Sequence, residues 1–207
     1  MNLSQTIQEI AVLAPPFLFA LTVHEYAHGL TALRFGDPTA SRLGRLTLNP
    51  LKHLDPMGVL FFIIMKIGWA KPVPVDPRYF KNPARDLLLV SLAGPGANLL
   101  TAVASGLVLQ LLVPIAPLLP HFLLWPLLQM TAASVWINIM LAVFNLIPIP
   151  PLDGSKVLLG LLPPDLAMVY RKMEPFGFVI LLALFYTGII PKIIMPIISF
   201  ANSLIMG

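Results

Sequence analysis

From Leu87 to Leu152 the chain carries not one Asp, Glu, Lys or Arg. A membrane-crossing helix takes about 20 apolar residues, so this stretch holds two of them. Its break is expected near Pro114, Pro117, Pro120 and His121. The rest of the chain agrees with lipid as the solvent: only 11% of residues are charged and the mean hydropathy is +0.87. Soluble domains carry about a quarter charged residues. No polar block large enough for a separate soluble module interrupts the pattern, so one polytopic domain over residues 1–207 is expected.

Between Glu9 and Arg34 there is no Lys or Arg, which leaves roughly 24 residues for a first span. The first ten residues lack the basic start of a signal peptide and read as the outer end of that span. Arg34 to Asp86 is polar and rich in proline. Within it the apolar run Met57–Met65, bounded by Asp55 and Lys66, is about half a span and reads as re-entrant or interfacial. Arg42–Leu48 and Pro72–Asp76 alternate polar and apolar residues and read as strands. Pro175–Ile190 is a further span, and the last fifteen residues, interrupted by Pro191, Lys192 and Pro196, are a short span or an interfacial helix. The fold class is therefore an all-α polytopic membrane protein of four to five spans, with a re-entrant or short β element between the first two.

Basic residues set the orientation. Arg34 to Arg85 holds nine Lys or Arg, and Lys156, Arg171 and Lys172 return to the same face, leaving only Lys192 opposite. Twelve against one makes the first face cytoplasmic. The formal charge of +4 then reports topology, not nucleic-acid binding.

Inside the first span lies His24-Glu25-Tyr26-Ala27-His28. Histidines at i and i+4 project from one helix face and can share a zinc ion, while the intervening glutamate reaches the metal-bound water. Solvated helix histidines are the bland alternative, but ionisable groups inside an apolar span are expensive to insert and mark function. His24 precedes Arg34 by ten residues, which puts the metal on the order of 10–15 Å below the surface.

Two histidines leave a catalytic zinc one protein ligand short. With no cysteine in the chain, the third must be His or a carboxylate. Asp153 is the candidate: it closes the uncharged stretch, directly after a backbone broken by Pro148, Pro150 and Pro151. Broken backbone at membrane depth lines a cavity or is buried in protein. An N-cap role for Asp153 is the alternative.

Taken together, these motifs resemble the site-2 protease family of intramembrane metalloproteases. The resemblance rests on HEYAH, on Ser91 to Asn98 (SLAGPGAN) and on Asn145 to Gly154 (NLIPIPPLDG). Leu48–Pro56 and Gly68–Val75 are similar to bacterial members as well. It runs from about Pro16 to Lys156 and is to the compact subgroup without PDZ or CBS domains. It implies an intramembrane zinc endopeptidase that cleaves the transmembrane helices of membrane-anchored substrates, in regulated intramembrane proteolysis, with one Zn2+ per chain. By the same resemblance His24, His28 and Asp153 hold the metal, Glu25 is the general base and Asn145 contacts the substrate backbone. The Arg42–Leu48 region would pair with an unwound substrate by strand addition. The setting implied is a bacterial plasma membrane, with the active site towards the cytoplasm and no nucleic-acid partner.

Other residues read as structural. Gly94, Gly96 and Ala97 permit close helix packing, and Asn98 bonds across helices near the site. His53 is a loop histidine, and His121 lies at the opposite membrane face. A non-catalytic zinc-binding membrane protein or transporter is the rival reading. Transporters commonly show repeat symmetry, and no repeat is visible here.

Overall fold

The computed structural model describes residues 3–58, 70–118 and 120–206. Its helices are α1 (Leu3–Arg34), α2 (Thr39–Arg42), α3 (Pro83–Ile115), α4 (His121–Asn145), α5 (Asp153–Leu161), α6 (Pro164–Arg171), α7 (Gly177–Tyr186) and α8 (Ile189–Met206). Among the described residues, four are long and apolar enough to cross a membrane: α1 over Ile7–Arg34, α3, α4 and α8. Leu100 and Leu111 on α3 and Leu204 on α8 are 70–74% exposed, as side chains facing lipid would be. The α3–α4 connection, from Ala116 to Pro120, is too short to hold an inserted domain.

The helix ends follow local chemistry. Gly36, at φ +100°, closes α1, and the Asp37 amide reaches back to the Ala32 carbonyl, the bond of a Schellman cap. Asn82 caps α3 by accepting from the Arg85 amide, with Pro83 in the first turn, while Asp86 accepts from the Asn82 amide. Helix α3 is central and packs against α1, α4 and α5. A second contact layer forms where Ile190, Ile194 and Ile198 of α8 meet Ala102, Val135 and Ile139.

Three expectations change. Among the described residues no β-strand forms; Leu54 and Ala70 make an isolated antiparallel bridge. Arg42 ends α2 and Gly44, at φ +62°, turns the chain, so 42–48 cannot run as a strand. Residues 71–76 carry no regular secondary structure, and Pro72 and Pro74 lack the amide a ladder needs. Of the 57–65 segment, all but its first two residues lie outside the described residues.

The span expected at 175–190 is cut short, while the last fifteen residues, expected as a short span or an interfacial helix, belong up to Met206 to α8, which is long and apolar enough to cross. Helix α7 has ten residues, about 15 Å, and Gly188, at φ +74°, separates it from α8. Pro191 falls in the first turn of α8, where a missing amide leaves no helix bond unmade. Helix α8 runs along α4 until Ile205 lies against Gly106 and accepts from Gln110, at the far end of α3.

Candidate metal centre

Helix α1 delivers His24, Glu25 and His28, and the turn after α4 delivers Asp153 as the first residue of α5. All four are at most 9% exposed. Leu152, not Asp153, occupies the cap position of α5, so the Asp153 carboxylate is free to point at the histidines. His24 Nε2 and His28 Nε2 lie 3.0 Å apart, and Asp153 Oδ2 is 3.1 Å from the first and 3.0 Å from the second. Among the described residues this is the group whose ligand atoms could share a metal ion.

Whether these three contacts are hydrogen bonds depends on where the protons are. His28 Nδ1 is 2.7 Å from the Val90 carbonyl, which can only accept, so Nδ1 carries the proton. His24 Nδ1 is 2.6 Å from Asn98 Oδ1. The Asn98 amide cannot be turned round, because its Nδ2 donates to the Ala20 carbonyl at 3.0 Å and to Asn138 Oδ1 at 2.8 Å. With Nδ1 turned to an acceptor on each ring, Nε2 is the atom that each imidazole in its neutral form would offer to a shared cation, beside a carboxylate oxygen. Ligand atoms on a tetrahedral zinc at about 2.0–2.1 Å would be roughly 3.3–3.4 Å apart, within a few tenths of the triangle observed. The donor set, two imidazoles and one carboxylate, is that of a catalytic zinc site.

Gly94 makes room for this arrangement. A Cβ there would come within 2.4 Å of His28 Nε2 and 2.7 Å of His24 Nε2. It is an absence of side chain beside the donors, more specific than the packing role expected from sequence.

Glu25 stands outside the triangle. Its Oε2 accepts from the Val73 amide at 2.7 Å, and Oε1 has no protein partner among the described residues. The 71–76 segment that supplies this amide is fastened along its length. Arg45 Nη2 donates to the Lys71 carbonyl at 2.8 Å, the Lys71 amide to the His53 carbonyl at 2.9 Å, and the Asp76 amide to Asp37 Oδ2 at 2.7 Å. Asp37 is fully buried. Beyond it, hydrogen bonds from the exposed Arg78 hold the half-buried Asp76 carboxyl below the usual carboxylate range.

The remaining candidates do not join the centre. The Asn145 side chain donates to the Leu141 carbonyl at 2.9 Å, one turn back on α4. No described contact links it to the three donors. His53 is buried and donates to the Thr47 carbonyl at 2.8 Å, as a loop histidine should. His121 stacks on Trp125 at the other end of α4. Sequence reasoning missed Asn138 and the Val73 amide. The first shows only as a polar residue in an apolar helix, and the second has no side-chain trace at all.

The sequence profile described as peptidase family M50 matches residues 120–187. A Bacillus subtilis (strain 168) protein described as "Putative zinc metalloprotease YwhC" is 38% identical over 193 residues, covering 88% of this chain and 83% of its own length. A Mycolicibacterium smegmatis protein described as "Putative zinc metalloprotease Rip2" is 35% identical over 180 residues, 83% of this chain and 65% of its own. The Mycobacterium tuberculosis (H37Rv) protein with the same description is 35% identical over 175 residues, 82% of this chain and 64% of its own. No solved structure gives a significant match.

Proposed function

We propose, from the premise that this chain belongs to peptidase family M50, the site-2 proteases, that it is a zinc endopeptidase cutting within the membrane-spanning helices of anchored substrates. The observation that carries the reading is the triangle of His24 Nε2, His28 Nε2 and Asp153 Oδ2, with both Nδ1 atoms already committed as donors. These three residues would hold the zinc. Zinc bound there supplies a Lewis acid that polarises a carbonyl and brings the pKa of water towards about 7.

Glu25 then acts as general base. The Val73 amide fixes one of its oxygens, leaving the other to take a proton from the attacking water and pass it to the leaving amine. Burial keeps bulk water from competing for that carboxylate. Asn145, at the end of α4, would turn its amide from Leu141 towards a substrate carbonyl and steady the charge developing there. The setting proposed is a bacterial plasma membrane with the site near its cytoplasmic side. Supporting this, the 34–85 segment, which runs from the end of α1 to the first turn of α3, holds nine of the thirteen Lys and Arg.

The test is co-expression of candidate single-span proteins with wild type and with Glu25→Gln. Zinc retained and cleavage lost is the expected result. Unchanged cleavage would remove Glu25 from its role. Zinc retained with no cleavage by wild type of any membrane fragment would favour the non-catalytic rival.

A further inference from the structure

Four polar side chains form a line through the apolar interior, from α4 to the metal donors. The Asn138 amide donates to the Ser134 carbonyl at 2.8 Å, and Asn138 Oδ1 accepts from Asn98 Nδ2 at 2.8 Å. Asn98 Oδ1 in turn accepts from His24 Nδ1. Ser134 is tied by its hydroxyl to Ser105 of α3 at 2.8 Å. Asn98 and Asn138 are both 0% exposed. The direction of each bond is dictated by the one before it. A backbone carbonyl can only accept, so Asn138 must turn its nitrogen to Ser134 and its oxygen to Asn98. Asn98 must then turn its oxygen to His24.

We infer that Asn138 is a positioning residue for the metal centre: through Asn98 it holds the proton of His24 on Nδ1 and keeps Nε2 open as a ligand. This rests on the reading of His24 as a zinc ligand. Without Asn138, Asn98 keeps only the Ala20 carbonyl to oppose a flip of its amide. A flipped Asn98 would offer a donor to His24 Nδ1 and favour the other tautomer, with the proton on Nε2 facing the metal. Partners that orient a ligating imidazole typically change metal affinity 10- to 100-fold.

The zinc dissociation constant of the full-length protein in detergent, measured by chelator competition, reads this directly. Asn138→Leu, close in volume and unable to bond, should raise it 10- to 100-fold. Asn138→Asp, which as the neutral acid can still accept from Asn98 and donate to Ser134, should recover most of that loss. Ser105→Ala breaks the neighbouring Ser105–Ser134 bond and leaves the relay whole, so its zinc affinity should stay at the wild-type value. A folded Asn138→Leu with wild-type affinity overturns the inference. So does Ser105→Ala if it loses as much, since the effect would then be one of packing. If Asn138→Leu does not accumulate, Asn138→Ser carries the test, because a helical serine bonds back to its own chain and leaves Asn98 without its acceptor. A wild-type affinity there again overturns the inference. His28→Ala separates the two levels. If it keeps zinc, the ligand assignment itself is wrong; if it loses zinc while Asn138→Leu keeps it, only the relay is wrong.

Discussion

Replacing Gly94 by alanine adds one methyl group to the wall of the metal centre, and the geometry sets its effect. The new Cβ would lie 2.4 Å from His28 Nε2 and 2.7 Å from His24 Nε2 and Cε1. Ordinary contact needs about 3.5 Å, so the His28 ring must retreat by about 1 Å. Both atoms are tips of side chains, which can swing aside, so folding should lose only the roughly 1–3 kcal/mol of an overpacked site. Metal binding has no such latitude, because ligand distances hold to about 0.2 Å. A ligand displaced several times that far should raise the zinc dissociation constant at least about a hundredfold, near 2.8 kcal/mol. Gly96→Ala is the matched control: its Cβ would meet nothing within 4 Å, and a helical alanine should leave stability equal or slightly raised. The assay is zinc content and chelator competition on both purified variants, with thermal unfolding alongside. If Gly94→Ala folds and binds zinc as wild type does, the metal does not sit among these donors.

Further expectations address the other parts of the site. Asp153→Asn replaces a charged ligand by a neutral one and should weaken zinc binding by at least about tenfold, read by the same competition; unchanged zinc content would remove Asp153 from the ligand set. Asp37→Ala frees the Asp76 and Thr39 amides and loosens the segment that presents Val73 to Glu25. Cleavage should fall while zinc content holds, and a parallel loss of both would show that Asp37 acts on folding instead. Chelation should abolish cleavage and added Zn2+ restore it, followed on a purified single-span substrate; activity that survives complete zinc removal would refute the metal mechanism.

The donors were legible because their chemistry is written in residue type and spacing. HEYAH sets two imidazoles on one helix face, and Asp153 stands at the end of a long uncharged run, where few other carboxylates compete. Distances across the bundle were not legible. That Asn98 meets Asn138 depends on how α3 sits against α4, and that Gly94 faces the donors depends on how α3 sits against α1. The strands expected at 42–48 and 72–76 show the limit of alternation as a signal. Gly44 and two prolines decide the backbone there, and the 71–76 amides go to Glu25, His53 and Asp37 instead of to a neighbouring strand. The span expected at 175–190 was drawn too long for a related reason, whereas the short span allowed for the last fifteen residues falls on α8. No charged residue interrupts 175–190, and the left-handed Gly188 marks where one helix stops and the next begins.

The place of His24 on α1, ten residues before Arg34, also works as a ruler. A substrate helix cut at that level, about 10–15 Å down, would release its cytoplasmic part with a stub of roughly seven to ten apolar residues still attached. Burying an apolar chain favours the bilayer by about 0.8 kcal/mol per methylene, so such a product would linger at the membrane surface. Its departure would then be set by the stub's own sequence, and a leucine-rich stub should leave more slowly than one broken by serine or glycine.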